Sequence, residues 1–336
     1  MKQTTSPILF YSLTILLFIL IFLSCKKEGS GTGTHQPPVD TTHNPAPGTC
    51  SATKAAAESI AIFPADNSWN QDISSATIDP NSSQILSAYS TVGVKADFGS
   101  GLWDNAPIGI PYTVVCGNQL KLAVVFRANA YDGNYGDESD PGPYPIPLNT
   151  PIEGNGQGDS HVISVDKENG ILYELYNASV NGDHWEASSG AVFNLKSNQL
   201  RQDGWTSADA AGLPIFAGLV RYEEILKGVI DHPIRFTLTK SNVKPAYISP
   251  ARHKVSSTGG QYSLPFGAKI RLKTNFNISG YPATDQIILT AMKKYGLMLA
   301  DIGSNMYISG APDERWNNDE LQLLGKVKAS DFEVVK

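Results

Sequence analysis

The chain has little with which to build metal or redox chemistry: three cysteines, four methionines and six histidines among 336 residues. So few cysteines exclude a disulfide-dense scaffold, and neither a zinc ligand pattern nor an HExxH helix occurs. Positive charge is also short. Lys and Arg number 26 against 32 Asp and Glu, a net charge of −6, and the cations are scattered among acids. A phosphate-binding surface needs a basic stripe, so nucleic acid is excluded as a partner. No internal repeat, P-loop, dinucleotide fingerprint or GxSxG elbow is present.

One long apolar run stands out, Ile8 to Leu23, broken only by Ser12 and Thr14. It follows Lys2 and leads into Phe22-Leu23-Ser24-Cys25, the form of a bacterial lipoprotein signal with a relaxed lipobox. The run falls short of the roughly 20 apolar residues of a spanning helix, and a polar segment follows it. Cleavage before Cys25 and lipidation of that cysteine is therefore expected, with residues 1–24 as signal peptide. Residues 25–52 carry Gly, Pro, Thr and the pair His35 and His43, with too little apolar surface to fold alone, and read as a tether. Residues 53–336 remain as one globular domain, since no second linker interrupts them. Cys50 and Cys116 are left as a candidate disulfide in an oxidising compartment, or as two unrelated thiols.

The domain reads as mainly β with helical decorations. Pro111–Cys116 and Gln119–Arg127 flank Gly117-Asn118, a two-residue turn signal, and predict a hairpin. His161–Val165 and Ile171–Tyr176 bracket an Asp-Lys-Glu-Asn-Gly turn and predict another. Helical spacing is clearest from Thr284 to Tyr295, with Gly296 as its stop, and shorter helices are expected at 83–89, 222–227 and 318–324. Irregular alternation of strands and few helices points to an antiparallel β-sandwich or jelly-roll-like core.

Chemistry concentrates in residues 131–161. This stretch holds Asp132, Asp137, Glu138, Asp140, Glu153 and Asp159, five prolines from Pro141 to Pro151, and ends at His161. Loops this long are often functional, and prolines limit the positions their side chains can take. Two of these acids facing each other would suit glycoside cleavage. Six to eight of their oxygens would suit a divalent cation such as calcium, and a solvated acidic loop is the third reading. Asp159-Ser160-His161 places an acid and an imidazole on one face of a strand, and Arg252-His253 adds a cation and a second base. Asp140, Glu153, Asp159, His161, Arg252 and His253 are thus the catalytic candidates: acids or bases, with Arg252 as an anion clamp. Tyr144, Trp185 with Glu186, and Trp205 with Asp209 are the substrate-binding candidates, because indole faces beside hydrogen-bonding groups suit sugar rings.

Five segments, FPADNSWNQDIS (63–74), DESDPGPYPIPLNTPIEG (137–154), 189–224, PARH (250–253) and 293–316, resemble a family of exported, mostly bacterial proteins to which no activity is attached. The resemblance implies secretion and a continuous domain, and carries over no catalytic residue. The tether, Cys25 and the Lys-Lys-Glu after it resemble envelope lipoproteins of the Bacteroidota type, which often handle glycans. The expectation is a lipid-anchored protein of the outer membrane that acts on polysaccharide as hydrolase or lyase. Noncatalytic glycan binding or adhesion, and a structural envelope role, are the alternatives.

Overall fold

The computed structural model describes residues 52–58, 61–128 and 135–336. The signal segment with Cys25, the tether, Cys50 and Asp132 lie outside the described residues. Cys116 is disulfide-bonded. No helix among the described residues is long and apolar enough to cross a membrane.

Strands dominate, in several mixed sheets, and helices are few. A six-stranded sheet runs in the order Lys95–Asp97, Tyr307–Ser309, Ile234–Leu238, Leu297–Ile302, Lys269–Leu272, Phe332–Val335. A four-stranded sheet runs Ser189–Asn194, Ile171–Tyr176, Val162–Asp166, Thr113–Val115, and a three-stranded one Val124–Phe126, His184–Ala187, Ser179–Asn181. The β-rich body is as expected, but its sheets are mixed where an antiparallel core was expected. Ile234–Leu238 pairs parallel with Leu297–Ile302, and Thr113–Val115 pairs parallel with Val162–Asp166.

Side-chain alternation explains how the layers meet. In Val162–Asp166 every residue is buried, so both faces of the strand are covered. Ile163 and Val165 join a core that also takes Phe236, Ile270 and Leu299 from the six-stranded sheet. Val162, on the opposite face, joins Tyr144, Ile146, Leu175 and Trp185 in a second cluster. The Pro-rich loop supplies two members of that second cluster, Tyr144 and Ile146.

The hairpin of Val162–Asp166 with Ile171–Tyr176 forms as the alternation predicts, with Asp166 opposite Ile171. The hairpin expected around Gly117-Asn118 does not form. Its turn closes, Gln119 N–H donating to Cys116 C=O, but the two flanking strands go to different sheets. The long helix spans Ala283–Lys294 and Tyr222–Lys227 is helical as expected, Gly228 and Gly296 taking the left-handed conformations that end them.

In the first turn of the long helix, Asp285 is fully buried and neither carboxyl oxygen has a hydrogen-bond partner. Burial, with Glu320 nearby, pushes its pKa up to about 7. A raised folded value means stability lost as pH climbs through it. Asp285→Asn is therefore expected to add roughly 1–2 kcal/mol more at pH 8 than at pH 5 in urea unfolding; an equal gain at both pH values would exclude an ionised Asp285 as the source.

The first described helix, Lys54–Ala57, is capped by Thr53 and ends against the body. Lys54 Nζ donates to Pro312 C=O at 3.0 Å, and Arg221 Nε donates to Glu58 at 2.7 Å. Arg221 is buried and also donates to Glu224, which His232 contacts at 2.8 Å.

Candidate functional site

Two polar groups lie on either side of one turn, residues 206–211. The turn is stiffened by Ser207, whose hydroxyl donates to Leu213 C=O while accepting from Asp209 N–H. On one side Ala208 C=O faces His161, and on the other Ala210 C=O faces His253.

The first group draws on both large sheets. His161 is 2 % exposed; its Nδ1 lies 2.5 Å from Glu153 Oε2 and its Nε2 3.0 Å from Ala208 C=O. Both ring nitrogens meet acceptors, so the ring carries two protons. Burial opposes that charge, but the charge and hydrogen bond of Glu153, with Asp159 beyond, push His161 up to about 9. For Glu153, burial alone would raise the pKa, yet the imidazolium and the His161 N–H hold it below the usual carboxylate range. Arg235, 5 % exposed on its strand, grips Asp209 with two 2.9 Å hydrogen bonds, Asp301 with one at 2.9 Å, and Ser309 at 2.6 Å. Burial and then the Asp209 charge hold Asp301 up at about 7 against the pull of Arg235. Asp97, exposed as a residue on the edge strand, is raised by the enclosure of its carboxyl, then by Glu153, with Asp159 adding to it. Beneath them Glu174 is fully buried, accepts from the Ile215 and Phe216 N–H groups, and is pushed up to about 7 by burial.

The second group holds the loop to the body. Asp140 pairs with Arg201 and accepts from Val192 N–H, while Asp140 N–H donates to Gly190 C=O. The acidic loop thus covers the open edge of the four-stranded sheet. Glu138 accepts from Thr206 N–H at 2.9 Å and lies 3.7 Å from His253 Nε2. Arg252 is engaged by Asp203 at 3.0 Å and by Arg201 C=O.

Of the six catalytic candidates, Glu153, Asp159 and His161 share the first group. Asp140, Arg252 and His253 belong to the second, where Asp140 and Arg252 are ion-paired to the protein itself. Several binding candidates are corrected. Trp185 and Tyr144 are fully buried, the indole donating to Ile146 C=O and the phenol to Asp140 C=O, so neither offers a face to a sugar. Asp209 is 1 % exposed and fully used by Arg235. Trp205 is half-buried with Arg201 over its ring at 5.8 Å, and Glu186 is bonded to Asn181 in the three-stranded sheet. Among the described residues no group of three or more His, Cys, Asp or Glu is placed to hold a metal ion, so the calcium reading finds no cage there.

Asp97, Arg235 and Asp301 were not among the candidates. A signal exists for two of them: Arg235 in HPIRFTL and Asp301 in LMLADI are single charges within apolar strands, and a buried charge requires a partner.

Three carboxyls raised to about 7, with Asp97 raised as well, and one raised imidazole set a stability profile. Asp285, Glu174 and Asp301 at about 7 and His161 at about 9 all bind protons more tightly folded than unfolded. Each contributes stability present below its unfolded pKa and lost as pH rises through the folded one. Glu153 and Glu224, held low, act oppositely and lose their contribution only in acid. The melting temperature is expected to peak near pH ~5 and to fall to pH ~8, above which Lys269, pushed down to about 8 by burial, offsets the loss from His161; a flat profile between pH ~5 and ~8 would contradict these directions.

No family model, curated protein or solved structure matches this chain. The likeness of the five segments to exported bacterial proteins therefore rests on their wording alone.

Proposed function

We propose that this protein is a glycan hydrolase held at the outer membrane by a lipid on Cys25. The observation that carries the reading is a pair of carboxyls of opposite character around one buried cation: Asp301, held near neutrality, and Glu153, held anionic by His161. Hydrolysis of a glycosidic bond needs one carboxylic acid that protonates the leaving oxygen and one carboxylate that activates water or attacks the sugar. Asp301 takes the first part and Glu153 the second, with His161 and Arg235 as positioning residues. Hydrolysis is favoured over elimination, because a lyase must neutralise a uronate and Arg235 is already committed to Asp209 and Asp301. On the same reading the six- and four-stranded sheets, which share a core, are the two layers of a sandwich-like body.

The full chain in detergent micelles, incubated with a panel of neutral, cationic and anionic polysaccharides, is expected to release reducing ends. Each cleavage should add one water, shared between its two products, and leave no unsaturated terminus. Unsaturated products would replace hydrolysis by elimination, and binding without turnover would favour the adhesion reading.

A further inference from the structure

Leu102–Trp103 and Ala106–Pro107 form a two-stranded hairpin whose turn residues, Asp104 and Asn105, are both left-handed, with φ of 49° and 64°. Such a turn matches the twist of its strands and keeps the ribbon stiff. The hairpin is fastened twice. At its base the Asn318 side chain accepts from Ser100 N–H and donates to Ser100 C=O, and at its tip Asn155 Nδ2 donates to Asn105 C=O at 2.8 Å. Asn155 lies two residues from Glu153, so the ribbon stands beside the acid cluster. Yet Trp103 is 78% exposed and Leu102 65%. A stiff, doubly anchored ribbon that leaves its largest apolar side chain in water is not explained by packing.

The loop beside it is open to solvent and carries no bulky side chains at two positions. Gly156 and Gly158 take positive φ, and a Cβ on either would meet nothing within 4 Å. Even with Asp301 carrying its proton, Asp97, Glu153, Asp159 and Asp209 outnumber Lys95, His161 and Arg235 there. We infer that Trp103 is the stacking platform of a subsite for a sugar carrying a protonated amine, a 2-amino-2-deoxy residue of the glycan. The C–H face of the ring lies on the indole, and the ammonium is drawn both to the ring face and to the acids. This assignment rests on the hydrolase reading for its chain direction, and adds the charge of the substrate.

The test is tryptophan fluorescence of the full chain titrated with three probes: a glucosamine hexamer, its N-acetylated counterpart and a galacturonate oligomer. Glucosamine is expected to quench the emission and to bind about 10-fold more tightly than the acetylated oligomer, with galacturonate weaker still and the preference fading at high salt. Trp103→Ala should abolish the quench and weaken binding about 10-fold, and Asp159→Asn should narrow the preference for the cation. Equal binding of all three probes, no binding of any, or unchanged binding by Trp103→Ala overturns the subsite. Exposed Trp103 can be replaced without disturbing the core. If Trp103→Ala loses binding while Asp301→Asn leaves turnover intact, the platform stands and the hydrolase assignment falls; the reverse pattern removes the platform alone.

Discussion

Asp301→Asn is expected to lower kcat on a cleaved glycan by about 10²–10⁴-fold, the usual worth of a positioned proton donor. KM should change little, because the carboxyl is committed to proton transfer and not to holding the sugar. Only a group still protonated at the working pH can give its proton to the leaving oxygen, and burial with Asp209 alongside holds Asp301 at about 7. The wild-type rate should therefore fall on the alkaline side as Asp301 ionises. Asparagine keeps an acceptor for the 2.6 Å hydrogen bond from Ile302 N–H, so the strand end is preserved. Glu153→Gln should be comparably slow but should retain the alkaline limb, since the proton donor is untouched. Steady-state rates across pH 5–9 for the three proteins decide the matter: two fully active variants would show that this cluster does not carry the chemistry.

Arg235→Met is expected to cost about 3–5 kcal/mol in urea unfolding, because removing one member of a buried pair leaves a charge without compensation. Here the orphan is Asp209, whose side chain has no solvent exposure and which relies on both 2.9 Å hydrogen bonds from the guanidinium. The double variant Arg235→Met/Asp209→Leu removes both charges and should recover much of the loss, since apolar replacement of a whole buried pair is often near neutral. If the double variant is no better than the single one, the cost lies in packing and not in the stranded carboxylate. In any fraction of Arg235→Met that stays folded, loss of the cation should also move the alkaline limb of activity upward, because Arg235 is what pulls Asp301 down.

How legible this site was depends on how far apart its parts lie in the chain. Glu153, Asp159 and His161 stand within nine residues and end at a strand whose alternation is plain, so sequence placed them together. Asp97, Arg235 and Asp301 arrive from three other strands: those of Arg235 and Asp301 pair in parallel, and that of Asp97 joins through Tyr307–Ser309, pairings that no local pattern reports. The failed hairpin has the same cause. A two-residue turn signal describes the turn, but Thr113–Val115 and Val124–Phe126 each pair with strands far along the chain, and those longer-range partners decide the sheet. The tryptophans teach a different point. Polar neighbours of Trp185 in sequence point to a ligand face, whereas its N–H satisfies a carbonyl inside the core; Trp103 lies in a ribbon too short for any pattern to mark its exposure.

The way the chain enters the body matters if Cys25 fixes it to a membrane. A pull arriving from the N-terminal side is delivered to a helix of only four residues, too short to hold its own shape. Behind that helix the guanidinium of Arg221 clasps Glu58 from within the core. Drag on the domain would thus reach the sheets through Cys116 as well, since the other two cysteines both stand ahead of that helix, and the ionic clasp would share the load with the disulfide.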